Sequence, residues 1–219
     1  MTLNVELARH NMIAQQVRPW DVLDERVLNV LSAMRREDFV AAAVRNLAFA
    51  DLCLPLGHGE VMMKPVVEGR VLQAVDPQPG ESVLEIGSGS GFLTACLASL
   101  AGEVVGIEQH ADFAATANAR LDSAGIANAR IETAEAVRGY TPKCQFDVMV
   151  VTGAVHELPQ HWYGWIKPGG RIFAIAGQSP AQCANLYAQT AGGAWSATAL
   201  FETDLPYLRN AEPQQRFSL

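Results

Sequence analysis

Residues 83–92 read Val83-Leu84-Glu85-Ile86-Gly87-Ser88-Gly89-Ser90-Gly91-Phe92. An apolar run carrying an acid enters three alternating glycines, and a second apolar stretch follows from Phe92 to Leu100. The pattern predicts a strand, a tight turn and a helix. Glycine permits the turn and leaves the main chain open to a ligand. The unpaired N–H groups at the start of the helix then face that ligand with the positive end of the helix dipole.

Two acids decide the ligand chemistry. The dinucleotide fingerprint is G-x-G-x-x-G with a pyrophosphate on the helix N-terminus. Here the spacing is G-x-G-x-G, and Phe92 stands where the third glycine would fall. Glu85 precedes the first glycine by two residues, where it repels a phosphate and suits a cationic or amino-bearing group. Glu108 closes the next apolar run, Val104-Val105-Gly106-Ile107, in the place of an acid that accepts hydrogen bonds from ribose hydroxyls. An adenosine ligand without a diphosphate satisfies both acids, and S-adenosylmethionine is such a ligand. A glycine turn in a dinucleotide enzyme, or in an unliganded α/β domain, is the competing interpretation.

The elements that must position this loop follow from periodicity. Residues 3–17 and 24–34 read as amphipathic helices, the second capped by Asp24, with a break at Arg18-Pro19-Trp20. A short helix is predicted at 40–48, an irregular stretch from Leu54 to Pro65, and a helix at 66–75. Strands are then predicted at 83–86, 104–107, 129–132, 146–151 and 171–176. Helices are predicted at 91–101, 110–124 and near 158–165, with Pro168-Gly169-Gly170 as a turn. Residues 183–190 and 195–203 form a candidate hairpin across Gly192-Gly193. The expected fold is α/β: a Rossmann-like, doubly wound, mainly parallel sheet with helices on both faces, an N-terminal helical extension and a C-terminal antiparallel hairpin. Residues 1–78 read as a helical and substrate-loop region and 79–219 as the ligand-binding domain, together one compact unit.

Composition narrows the class. The 219 residues are 49% hydrophobic and 18% charged, as expected of a globular chain with one substantial core. The net charge of −7 comes without a basic cluster, which argues against nucleic acid as partner. The N-terminal residues Met1–Glu6 lack the pattern of a signal peptide, and no run of about 18 apolar residues suggests a membrane span. The expected location is the cytoplasm, and the absence of a heptad leads us to expect a monomer. Cys53, Cys96, Cys144 and Cys183 are scattered and indicate neither a disulfide framework nor a zinc site, so no metal is expected.

Together these segments resemble the class I S-adenosylmethionine-dependent methyltransferases and, within them, the protein-L-isoaspartate O-methyltransferase family. The resemblance rests on Gln15-Gln16-Val17, Arg26-Val27-Leu28, Arg36-Glu37-Asp38-Phe39-Val40 and Leu54-Pro55-Leu56-Gly57-His58-Gly59. It continues through Pro65, the glycine loop, Phe146-Asp147 and Pro168-Gly169-Gly170. The glycine loop points to the superfamily and the Leu54–Gly59 loop to the family. The resemblance implies that Gly87, Ser88, Gly89 and Gly91 cradle the methionine part of S-adenosylmethionine and that Glu85 lies near its amino group. It also implies that Glu108 and Gln109 border the ribose, that Glu135 stands at the adenine position, and that Thr152 completes the cofactor site. The family usually has an Asp between glycines at the adenine position, whereas this chain has Ala134-Glu135-Ala136.

The acceptor side departs further. The family carries a small hydroxyl residue two positions before Pro65, beside the methyl-accepting carboxylate, and this chain has Met63 preceded by Met62. Val155-His156 replaces a proline-containing stretch, and Asp204-Leu205-Pro206-Tyr207-Leu208 replaces a more apolar peptide-binding segment. The implied acceptor is a carboxylate on a protein or peptide. It is ionised at neutral pH, having an ordinary pKa of about 4, so positioning and desolvation suffice without a dedicated base. A small-molecule alcohol or phenol acceptor would need a base, and His58 and His156 are the candidates. The catalytic candidates are therefore Met63, His58 and His156. Each also has a structural interpretation: loop bracing for the histidines, an apolar lid for the methionine. A cofactor-binding scaffold without transferase activity is a further alternative.

Overall fold

The computed structural model describes residues 4–190 and 192–213. Helix α1 spans Val5–Met12 and α2 spans Glu25–Ala33. The β1 strand, Leu54–Gly57, pairs antiparallel with β2, Glu60–Met62, and α3 follows at Pro65–Val75. The units β3 (Ser82–Ile86), α4 (Phe92–Leu100), β4 (Glu103–Glu108), α5 (Ala111–Ser123) and β5 (Ala129–Thr133) come next. The chain closes with β6 (Phe146–Val155), β7 (Ile166–Gln178), β8 (Ala181–Gln189) and β9 (Trp195–Thr203).

The large sheet has seven strands in the order β5-β4-β3-β6-β7-β8-β9. Strands β3 to β7 run parallel, while β8 and β9 add antiparallel. From β3 the chain winds outward through β4 and β5, then crosses to β6 on the other side. The carboxyl end of β3 is therefore a topological switch point, where ligands of open α/β sheets bind.

Period-two alternation assigns each strand residue to one of two cores. Val83, Val104, Val148 and Val150 join the core beneath the helices, which also takes Met12, Leu31, Val71, Leu97 and Leu121. Leu84, Ile86, Val105, Ile107, Met149 and Val151 face the opposite core, closed by Trp162 and Trp165. These tryptophans lie on a short 3-10 segment, Gln160–Trp165, at the predicted helix near 158–165. Glu85 alternates with Leu84 and Ile86 and so points toward α3 and α4.

Local signals account for the element ends. Asp24 accepts from the Arg26 and Val27 amides at 2.7 and 3.4 Å, as its N-cap role predicts. Pro65 opens α3 where a missing N–H costs nothing. The predicted hairpin 183–190/195–203 is present as β8 and β9.

Three expectations are corrected. The first helix does not run evenly through 3–17. Regular α structure ends at Met12, a π-helical turn covers Ile13–Val17, and residues 1–3 lie outside the described residues. The predicted helix at 40–48 is a 3-10 segment, Ala42–Leu47, with no buried face to hold a longer α-helix. The stretch from Leu54 to Pro65 is not irregular, because it holds the β1–β2 hairpin. Its prolines and glycines concealed it: Pro55 is tolerated in a two-stranded ribbon with open edges, and Gly57 and Gly59 take positive φ at the tip.

Candidate functional site

At the carboxyl end of β3 the chain turns through Gly87 at φ 90°, Gly89 at φ 52° and Gly91 at φ 82° before α4 begins. The Gly87 and Ser88 amides bond to the Ile107 carbonyl at 2.8 and 3.3 Å, which ties the turn to β4. A Cβ on Gly87 would sit 2.7 Å from Thr152 Oγ1, so only glycine satisfies both the φ and the space. Gly106 in β4 has the same importance without a positive φ: a Cβ there would overlap the Ser88 hydroxyl. It reads as an ordinary strand position in the sequence.

The turn forms one wall of a cleft of about 780 Å³, including space open to solvent. Opposite stand Leu56, Glu60, Val61, Met62 and Met63 of the β1–β2 hairpin and its exit, while Leu208 and Arg209 border it from the C-terminal segment. That segment is laid across the end of β6 by bonds between the Leu208 amide and the Ala154 carbonyl, and between the Ala154 amide and the Pro206 carbonyl, at 2.8 and 2.9 Å. Pairing of β6 with β7 shifts register between Val150 and Ala154, and this irregularity brings Thr152 and Gly153 to the cleft.

Five carboxylates line the cleft: Glu60, Glu68, Glu85, Glu108 and Glu135. Glu85 is fully buried. Its Oε2 accepts from Ser88 Oγ at 3.0 Å and from Thr94 Oγ1, while its Oε1 has no partner. Burial pushes its carboxyl up to about 7 against the pull of those two hydroxyls, and the Glu108 charge adds to the rise. Such an orphaned, buried acceptor fits an ammonium group, which would supply both the missing donor and the counter-charge.

Glu108 is anchored differently. Its Oε2 accepts from the Gly89 amide at 2.9 Å and its Oε1 from the His110 amide at 2.8 Å, which fixes the carboxylate at the end of β4. The remaining lone pairs suit the two hydroxyls of a ribose. Glu135 accepts from the Val137 and Arg138 amides at 2.8 and 3.0 Å, so its carboxylate shapes the 134–138 turn as well as lining the cleft. Gln109 lines the cleft and donates to Glu60 at 3.2 Å.

The remaining sequence candidates lie apart from one another. Thr152 donates to the Ile86 carbonyl at 2.9 Å and also contacts the Gly87 carbonyl, so its hydroxyl braces the turn. Gly91 caps α4 behind the cleft, packed toward Ala117. His58 lies at the hairpin tip beside Asp112, and His156 lies on the far side, its amide bonded to the Ala211 carbonyl at 2.7 Å. Neither histidine is among the cleft-lining residues, whereas Met63 is.

Met63 is buried, and its carbonyl accepts from Arg36 Nη2 at 2.7 Å. Arg36 is also buried. It pairs with Glu68, donates to the Ala48 carbonyl at 2.8 Å, and lies 4.7 Å over the Phe92 ring. Burial pushes the Glu68 carboxyl up to about 8 against the pull of that guanidinium. This pair, which anchors the hairpin side of the cleft at Met63, was invisible in the sequence because its members are 32 residues apart. Leu208, in the segment that the resemblance set on the acceptor side, does line the cleft, whereas Arg209 was not singled out, since only the return of the chain across β6 brings it there.

A glycine turn at the switch point, an unpartnered buried acid beside it and a second acid at the next strand end define a nucleoside-binding fold of the methyltransferase type. The model of the protein-L-isoaspartate(D-aspartate) O-methyltransferase family matches residues 8–205. The protein-L-isoaspartate O-methyltransferase of Koribacter versatilis (strain Ellin345) is 35% identical over 186 residues, 85% of this chain and 84% of that protein. Protein-L-isoaspartate O-methyltransferase 1 of Rhodopseudomonas palustris (strain HaA2) is 37% identical over 77% of this chain and 69% of its own length. A Plasmodium falciparum protein assigned as a protein-L-isoaspartate O-methyltransferase, solved in complex with S-adenosyl-L-homocysteine, superposes with a TM-score of 0.77. It is 18% identical, covering 95% of this chain and 99% of that one. The chain belongs to the protein-L-isoaspartate(D-aspartate) O-methyltransferase family, and so to the S-adenosylmethionine-dependent methyltransferases.

Proposed function

We propose that this protein transfers a methyl group from S-adenosylmethionine to the carboxylate of an isoaspartyl residue in a damaged protein or peptide. The observation that carries the reading is the Glu85 pocket: a buried carboxylate with one free oxygen, beside a glycine turn that only glycine can make. When bound, the cofactor supplies an electrophilic methyl on a sulfonium, whose sulfur departs as a neutral thioether. Glu85 holds the ammonium, and Glu108 holds the ribose. Glu135 borders the adenine. Met62, Met63 and Leu93 give the cleft an apolar lining, beside which the attraction between the carboxylates and a cationic ligand would be less screened. An acceptor carboxylate is already ionised, so the histidines are not required as bases.

The protein acts on protein rather than nucleic acid, a reading supported by its acidic charge; a cytoplasmic monomer is the accompanying reading of the sequence. No helix among the described residues is long and apolar enough to cross a membrane. Residues 1–78 and 79–219 work as one unit, supported by a core shared between Met12, Leu31, Val83 and Val148.

A second reading, transfer to a different acceptor, is favoured by one observation. Met63 places a buried thioether where the family resemblance implies a hydroxyl. The deciding experiment is radiolabelled methyl transfer to an isoaspartyl peptide beside calorimetric titration of S-adenosylhomocysteine. Binding with transfer supports the first reading. Binding without transfer overturns the isoaspartyl acceptor while keeping the cofactor, and no binding removes both.

A further inference from the structure

The tip of the β1–β2 hairpin meets the start of α5 through side chains that the methyl-transfer reading does not use. His58 stands between Gly57 and Gly59 in the left-handed region, at φ 53°. Its ring stacks on the His110 ring with centroids 4.2 Å apart and planes within 5°. Its Nε2 lies 3.1 Å from Asp112 Oδ2. One ring nitrogen of each histidine and one Asp112 oxygen all lie within 4.8 Å of one another. Phe113 meets both rings edge-on at 5.1 and 5.2 Å, and Glu60 Oε1 stands 3.8 Å from His110 Nε2.

We propose that His58, His110 and Asp112 bind a transition-metal dication of the Zn²⁺ type, which clips the hairpin to α5. Two imidazoles and one carboxylate are a donor set for zinc and its neighbours, whereas calcium and magnesium call for oxygen donors. Bonds of about 2.0–2.1 Å in a tetrahedral shell hold ligand atoms roughly 3.4 Å apart. The three side chains must therefore draw inward by about an ångström, and the two rings must splay, because stacked parallel rings do not aim their lone pairs at one point. Exposure leaves room for this: the His58 and Asp112 side chains are 47% and 65% accessible. The fourth position stays open to water or to Glu60.

The site also has a consequence for the cleft. The hairpin carries Leu56, whose side chain packs against Gly89 of the turn, and it leads directly into Met62 and Met63. A metal at its tip would tie that wall to the end of β4, one residue beyond Gln109. The spacing was not legible in the sequence, since His58 and Asp112 are 54 residues apart.

The test is calorimetric titration of ZnCl₂ into the chelator-treated full chain in a non-coordinating buffer. It is made in a Cys144→Ser background, because that exposed thiol competes for zinc. The expected result is one saturable equivalent per chain at micromolar metal. Binding should weaken by about tenfold or more in His58→Ala and in Asp112→Asn, and stay unchanged in His10→Ala, a substitution on an exposed face of α1. Unsaturable binding at millimolar zinc overturns the proposal, and so does an undiminished equivalent in the His58→Ala/His110→Gln double variant. Melting curves of each variant without metal confirm that the fold is retained.

Discussion

The two walls of the cleft are built on opposite principles. The turn wall is local: Glu85, Ser88 and Thr94 lie within one strand–turn–helix unit and bond to one another. The hairpin wall is assembled from afar. Met63 is held by Arg36 from the N-terminal region, Leu56 packs against Gly89, and Leu208 arrives from the C-terminal segment to fill the space over Gly153. In the proposed reading the first wall holds the cofactor and the second shapes the space for an acceptor, where the family resemblance implies a hydroxyl residue and this chain has Met63. Local hydrogen bonding resists drift, because one lost partner leaves a buried charge unpaired. A wall of apolar contacts tolerates substitution more readily.

The largest effect is expected at the anchor of the hairpin wall. At pH 9, where Glu68 is ionised in the parent, Arg36→Met should lower unfolding stability by about 3–5 kcal/mol, because it leaves the buried Glu68 carboxylate without its partner. Arg36→Met with Glu68→Leu should recover most of that loss at the same pH, since an apolar pair leaves no uncompensated charge. Denaturant melts of the two variants decide it, and equal losses in both would show that Arg36 acts through the Met63 and Ala48 carbonyls instead.

On the turn wall, Glu85→Gln should weaken S-adenosylhomocysteine binding by about 10–100-fold. Burial pushes the Glu85 carboxyl up to about 7, so ligand affinity in the parent should fall as pH drops through 7 and stay flat in the variant. The stability effect has the opposite sign. The folded pKa is raised above the ordinary 4.5, so the stabilising contribution of the protonated form is complete below 4.5 and lost as pH rises through 7. The unliganded Glu85→Gln protein should therefore unfold with about 2 kcal/mol more difficulty at pH 8. A drop in melting temperature at pH 8 would refute this account of the carboxyl.

Gly87→Ala should cost about 1–3 kcal/mol of stability through its positive φ and the Thr152 clash. Pairing it with Thr152→Ala should relieve the clash and leave the φ penalty. The smallest effect is expected at Met63 on the hairpin wall. Met63→Ser should leave S-adenosylhomocysteine affinity nearly unchanged and raise transfer to an isoaspartyl peptide roughly two- to tenfold. The assay belongs well below the melting temperature, because removing a buried methionine costs about 2–3 kcal/mol. No change in transfer would argue that the wall is shaped for another acceptor.

The strand–turn–helix unit, the alternation of strands and helices and the hairpin at β8 and β9 were legible because their signals are short-ranged. Glycine spacing, strand alternation and Asp24 capping each act within a few residues. Glu85 and Glu108 were legible for the same reason, each ending or closing an apolar run. The β1–β2 hairpin was not, because Pro55, Gly57 and Gly59 read as breakers until a partner strand shows that the breaks form a turn.

The turn, its glycines and the two acids beside it follow from the order of residues alone, since neighbours in the chain impose their geometry. Which distant side chains share the cleft depends on packing across the whole chain. Glu68, Leu208 and Arg209 reach it through long-range packing, while His58 and His156 are carried away from it. Thr152 reaches the cleft but its hydroxyl bonds to the Ile86 and Gly87 carbonyls, and Glu85 keeps one oxygen without a protein partner. Burial and long-range contact depend on how the whole sheet closes, and no local pattern of residues encodes that.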